Sequence, residues 1–299
     1  MPNVTVIIPV YNTAEYVCEA IDSVLAQTLP DIEVIAVDDG STDGSAALLQ
    51  SYGDRITVIT KANGGQAAAR NDALAVAHGD YICFLDSDDT LQPDTLERCH
   101  ALCERDQLDF AFFDARSFGP GADSESGWQD YHRAAHYPGI RRGPSTMQAM
   151  LHDGRYRCSV CMSLFRTAFL QRIGARFYPG IIHEDELFSA LVYFRAERIE
   201  AIDAEFYNRR VRGESTMTKR FSRRNVDGYL TVIREAAAYV DGSETRQAYR
   251  LLVQSILLSL MHNGWCLPAK EKRRIIACLL RHPYAFRLRP FAILLLKKG

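Results

Sequence analysis

Val4–Val10 is an unbroken apolar and largely β-branched run, the pattern of a strand buried on both faces. Glu15–Gln27 follows with Val17, Ala20, Ile21, Val24 and Leu25 on one stripe, which predicts an amphipathic helix. The alternation then repeats. Ile32–Val37, Ile56–Thr60, Tyr81–Leu85 and Phe110–Phe113 read as further strands. The intervening helices are predicted from Thr42 or Asp43 to near Tyr52, over Gln66–His78 with Gly79 closing it, and over Pro93–Arg105. Strand and helix alternating at this spacing predict an α/β fold, a mostly parallel sheet with helices on both faces. Ligands of such sheets bind at the carboxyl ends of the strands.

The pattern changes after the fifth strand. Residues 115–145 lack periodicity and read as an irregular excursion or lid. Residues 146–210 return to short helices and strands, and from Ser222 onward the pattern is helical, most clearly at Gln247–Met261 and Lys270–Leu280. No run reaches the roughly 20 apolar residues that a membrane-spanning helix needs. The tail from Arg281 to Lys298 mixes basic with aromatic and aliphatic residues. It suits either a membrane interface or a packed helix with a solvated basic face.

Composition narrows the picture only a little. The 299 residues are 47% hydrophobic and 24% charged, ordinary for a globular chain that can bury a full core. A formal net charge of -2 gives no global electrostatic case for a nucleic-acid partner. The N-terminus shows no basic region or small-residue cleavage site, so a reducing cytosol with eight free thiols is expected. Cys158/Cys161 and Cys99/Cys103 have the count for zinc but not the flanking pattern, and read as buried structural cysteines.

The chemistry gathers at the predicted strand ends. The first ends in Pro9-Val10-Tyr11-Asn12, the second in Asp38-Asp39-Gly40-Ser41-Thr42-Asp43, and the fourth in Asp86-Ser87-Asp88-Asp89. The third runs into Asn63-Gly64-Gly65, where glycine lets backbone approach a ligand, and Arg70 one turn later could reach a phosphate. Asp86, Asp88 and Asp89 have no Lys or Arg within the cluster, so a divalent ion is a natural counter-charge and oxygen ligands favour Mg²⁺ or Mn²⁺. The plainer reading is an acidic turn leading into the next helix. Asp39 likewise reads as turn chemistry or as a carboxylate for a base or ribose. A dinucleotide oxidoreductase would want Gly-x-Gly-x-x-Gly after the first strand, and Val10–Glu15 contains no glycine. The same gap disfavours a nucleotidyltransferase. No Ser-His-Asp or Cys-His arrangement calls for a nucleophile.

Ile-Ile-Pro-Val-Tyr-Asn, Val-Asp-Asp-Gly-Ser-Thr-Asp, Asn-Gly-Gly-Gln-Ala-Ala-Ala-Arg-Asn and Phe-Leu-Asp-Ser-Asp-Asp, in this order, resemble the family 2 glycosyltransferases of the GT-A fold. The match is strong over about residues 3–115. His183–Phe188 resembles the family's Glu-Asp motif, and Tyr207–Thr216 the Tyr…Arg…Ser segment of bacterial polysaccharide and lipopolysaccharide members. The resemblance implies a GT-A domain over 1–220, divided into a nucleotide-binding half (1–115) and an acceptor half (116–220), with a helical region over 221–299. It implies inverting transfer from a nucleotide sugar, usually UDP-linked, to a glycan or lipid-linked acceptor, assisted by Mn²⁺ or Mg²⁺. By position, Pro9, Tyr11 and Asp39 would hold the nucleobase, with Asn63, Gly65, Arg70 and Ser87 lining the nucleotide-sugar site. Asp86 would face ribose and metal, Asp88 metal and diphosphate, Arg212 the diphosphate, and Asp185 would be the base. The expected location is cytoplasmic, with contact at the inner face of the membrane if the tail binds lipid. The alternative is a module that binds a nucleotide sugar without turnover.

Overall fold

A computed structural model describes residues 1–119, 131–211 and 221–296. Its first half follows the alternation: β1 (Val4–Val10), α1 (Val17–Leu25), β2 (Ile32–Asp38), α2 (Ser45–Gln50), β3 (Thr57–Thr60), α3 (Gln66–Val76) and β4 (Tyr81–Phe84). A two-residue strand β5 (Thr90–Leu91), α4 (Thr95–Arg105) and β6 (Phe110–Phe118) come next. The second half adds α5 (Gly143–His152), β7 (Ser163–Arg166), α6 (Thr167–Arg172), α7 (Glu184–Arg195) and β8 (Ile199–Arg210). Four helices follow among the described residues: α8 (Arg223–Ala236), α9 (Ser243–Asn263), α10 (Ala269–Arg281) and α11 (Leu288–Leu296).

The strands form one eight-stranded sheet in the order β3-β2-β1-β4-β7-β6-β8-β5. From β3 to β4 every pairing is parallel, as the buried apolar runs predict. Beyond β4 the sheet is mixed. β7 runs antiparallel to both β4 and β6, β8 is parallel to β6, and β5 is antiparallel to β8. Most strand pairings among the described residues are parallel, as expected, and the antiparallel ones all lie beyond β4. Short strands such as Ser163–Arg166 carry too little sequence pattern to reveal their direction. β6 also runs five residues past the predicted Phe113, into the stretch read as irregular.

Pro9 sits inside a central strand without breaking it. β4 pairs with β1 only as far as Ile7↔Phe84, so Pro9 faces a ladder on the β2 side alone. The core continues from β4 into a cluster of aromatic rings, Phe84, Phe165, Phe177 and Phe188, in which Phe177 and Phe188 stack at 4.2 Å. α9 packs on α5 and α8 on α7, so the C-terminal helices cover the second half of the sheet's helical layer. No helix among the described residues is long and apolar enough to cross a membrane. The eight cysteines are free thiols.

Candidate active site

The carboxyl ends of β1, β2 and β4 and the start of α3 meet at one edge of the sheet. Tyr11 leaves β1 with its ring 52% exposed. Asn12 takes a left-handed backbone, φ 52°, and its side-chain oxygen accepts the Thr42 amide at 2.8 Å. Asp43 accepts from Ser45 N–H at 3.0 Å and from Ala14 N–H at 2.9 Å, tying the β1 and β2 turns together and starting α2. Ser87 is buried and accepts the Thr13 hydroxyl at 2.9 Å.

Asp39 is buried and takes the amides of Gly64 and Gly65 at 2.8 and 2.7 Å, one on each oxygen. Gly65 itself sits at φ +85°, a conformation that costs glycine nothing. Asp39 thus organises the Asn63-Gly64-Gly65 turn. Each oxygen has a second lone pair beyond the one these amides use. Asn63 is exposed at the tip of that turn.

Two arginines distant in sequence reach the Asp86–Asp89 turn. Asp86 Oδ1 accepts from Gln66 Nε2 at 2.7 Å and from Arg70 Nη2 at 3.0 Å, while Oδ2 receives neither. Arg210 donates from Nε to the Asp88 carbonyl at 3.0 Å, and its backbone N–H reaches Asp89 Oδ1 at 2.6 Å. Tyr207 donates its phenol to Asp89 Oδ2 at 2.6 Å. Burial, then the charges of Asp86 and Asp88, push the Asp89 carboxyl up to about 8 against the pull of Tyr207 and Arg210. The cluster is thus cation-free only along the chain. Asp89 serves as the anchor between the turn and β8, which a local reading of four residues does not reveal.

Asp185 enters from the other side. It lies in the first turn of α7 with Glu184 and Glu186, where acidic side chains favour the helix dipole. Its Oδ1 accepts from Arg70 Nη1 at 2.5 Å. Burial pushes Asp185 up to about 7; Arg70 opposes this, and Glu184 and Asp86 add to it. Burial likewise pushes Glu186 up to about 7. His183 precedes the helix in a left-handed conformation, φ 72°, with its ring stacked on Tyr229 at 3.7 Å. Burial holds its imidazole down at about 4, so it stays neutral at physiological pH.

Arg70, expected from sequence at the nucleotide-sugar site, is 1% exposed, and its guanidinium faces Asp185, Asp86 and Glu184. The next residue, Asn71, closes the Asn63–Asn71 motif and has a structural task that the motif does not reveal. It clamps the Phe177 backbone from both sides, at 2.8 and 2.9 Å, and so seats the ring that packs on Arg70. Arg212 lies outside the described residues.

Asp86 and Asp88 offer hard oxygen donors at a strand end. Among the described residues no group of three or more His, Cys, Asp or Glu side chains is arranged to hold a metal. That donor set fits an ion which takes one or two carboxylates and completes its shell with substrate phosphates, the usual habit of Mg²⁺.

The model of the family named Glycosyl transferase family 2 matches residues 5–174. Among curated proteins, the chain is 32% identical over 218 residues to the uncharacterized glycosyltransferase EpsJ of Bacillus subtilis, which covers 69% of this chain and 60% of EpsJ. It is 29% identical over 216 residues to glycosyltransferase GlyA of Streptococcus pneumoniae, covering 70% of this chain and 30% of GlyA. The chain therefore matches three fifths or less of the length of these relatives. Among solved structures, S. aureus TarS 1-349 in complex with UDP-GlcNAc superposes with a TM-score of 0.74 at 24% identity, over 98% of this chain and 84% of that one. A Pyrobaculum calidifontis mannosyltransferase in complex with GDP-Man and Mn²⁺ gives 0.62 at 19% identity, over 98% and 78%. These likenesses establish the fold as the GT-A type, and with a family model that runs across β1 to α6, the chain belongs to glycosyl transferase family 2.

Proposed function

We propose that the chain is an inverting glycosyltransferase that moves a sugar from a UDP-linked donor to a hydroxyl of a glycan or lipid-linked acceptor, in surface polysaccharide synthesis. The observation that carries this reading is the approach of Asp185 to Asp86 through one shared arginine, which sets a proton acceptor beside a metal-type carboxylate. The donors bound by the S. aureus and P. calidifontis proteins support a nucleotide sugar. The domain division at residue 220 belongs to the same proposal.

Tyr11 presents an exposed ring for stacking on the base, beside Pro9 at the end of β1. Asp39 accepts from the base through its remaining lone pairs. The Asn63–Gly65 turn and Ser87 line the nucleotide. Asp86 and Asp88 would hold Mn²⁺ or Mg²⁺, which when bound offsets charge on the departing diphosphate. Asp185 takes the acceptor proton as the acceptor oxygen bonds to the anomeric carbon. The bond to the diphosphate breaks from the opposite side and its electron pair leaves with the phosphate. A carboxyl raised toward neutrality suits a base, and such assistance contributes roughly 10²–10⁴ in rate.

Substitution of single carboxylates tests the reading. Asp185→Asn should keep UDP binding and lose transfer, and Asp88→Ala should lose the metal-dependent part of UDP binding. Transfer at the parental rate in Asp185→Asn would remove the base assignment. A donor-binding module without turnover would show UDP binding but no transfer in the parent.

The C-terminal region supports peripheral contact with an anionic membrane. Leu280, Phe286, Leu288, Leu295 and Leu296 are exposed next to the exposed Arg281, Arg287 and Arg289. Flotation with phosphatidylglycerol vesicles, lost in Leu288→Asp with Leu296→Asp, is the expected result.

A further inference from the structure

Arg70 rises from α3 one turn after Gly65, and its side chain is 1% exposed. Nη1 meets Asp185 at 2.5 Å and lies 3.8 Å from Glu184, while Nη2 meets Asp86 at 3.0 Å. The guanidinium packs on the Phe177 and Phe84 rings, 5.0 and 5.9 Å from their centroids. Nε has no hydrogen-bond partner among the described residues. The group is enclosed by carboxylates, aromatic rings and the Cys161 sulfur, 3.9 Å from Nη2.

We propose that Arg70 is a positioning residue that fixes the distance between the base, Asp185, and the donor-side carboxylate, Asp86. A guanidinium is a rigid planar fork, so two carboxylates bound to its two ends inherit its spacing. An ammonium is a single point on a flexible stem and can serve only one of them well. The aromatic wall lowers the local dielectric, which strengthens both pairs and makes an unpaired charge expensive. Donor carboxylate and base are therefore aligned before substrate arrives, the condition that transfer between oriented groups demands.

This inference rests on the reading of Asp185 as base and Asp86 as donor-side ligand. A double-mutant cycle tests it with Arg70→Lys, Asp185→Asn and the two combined. Arg70→Lys keeps the buried positive charge, and thermal unfolding checks that the fold survives. The measured quantities are kcat and KM for UDP release from UDP-GlcNAc with Mn²⁺, and the Kd of UDP with Mn²⁺ by calorimetry. Arg70→Lys should lower kcat about tenfold while KM and Kd stay within about threefold, and should cost nothing further in Asp185→Asn. A Kd for UDP that weakens in step with the activity loss would overturn the proposal, since Arg70 would then be a donor ligand. Independent, additive losses would also overturn it, as would an unchanged kcat in Arg70→Lys. Parental kcat in Asp185→Asn sinks the base reading and the inference together, whereas loss there with full activity in Arg70→Lys sinks the inference alone.

Discussion

Tyr207 donates its phenol to Asp89 Oδ2 at 2.6 Å, across 118 positions of sequence. Both groups are buried, and Arg210 N–H occupies the other carboxylate oxygen. The bond fastens the end of β8 to the acidic turn after β4. Tyr207→Phe leaves a buried carboxyl one donor short, which costs about 1–3 kcal/mol. Urea denaturation should show that loss, and UDP binding with Mn²⁺ should weaken as the turn loosens. Unchanged stability would mean that the phenol is dispensable to the turn.

Asp39 accepts one glycine amide on each oxygen, so Asp39→Asn replaces an acceptor with an NH₂ facing a backbone N–H. The turn at Gly64–Gly65 should lose about 1–3 kcal/mol and open. The expected outcome is a lower thermal midpoint together with weaker UDP binding, read by calorimetry.

Gly228 lets α8 lie against the segment that leads into Asp185. A Cβ there would sit 2.2 Å from the Ile182 carbonyl oxygen, which is backbone and cannot rotate aside. Gly228→Ala should lower stability by about 1–3 kcal/mol or more. It should also reduce transfer, because α8 must shift away from His183. Parental activity and stability would show that α8 moves without disturbing Asp185.

His183 has its imidazole held at about 4 by burial, below its ordinary 6.5. The unfolded chain therefore binds the proton more readily between those values. The contribution of His183 is present above about pH 6.5 and is lost as pH falls toward 4. His183→Asn tolerates the left-handed backbone and removes the titration. Its stability should fall less steeply than the parent's between pH 6.5 and 4, measured by urea denaturation across that range.

The sequence carries the first half of this protein well because long buried runs and strand-end motifs are local signals. Ile32–Val37 and Tyr81–Leu85 announce their strands, and Asp39, Asp86 and Asp88 stand just past the ends of them. The second half is held by contacts that have no local signature. Arg70 and Asp185 are 115 positions apart, and nothing near either one shows that they meet. Arg210 reads as one basic residue among several until β8 places it on the Asp88 carbonyl. Asn71 looks like a polar helix residue, yet it seats Phe177 and with it the wall around Arg70.

The central claim is that the Asp86–Asp88 turn and a nucleotide diphosphate share a divalent ion beside Asp185. Anomalous scattering from crystals grown with UDP and Mn²⁺ tests it most directly. The account predicts one manganese peak within coordination distance of Asp88 and both phosphates, with Asp86 in the same shell or on the ribose and Asp185 still paired with Arg70. UDP bound with no manganese at that turn, or bound at another edge of the sheet, would contradict it.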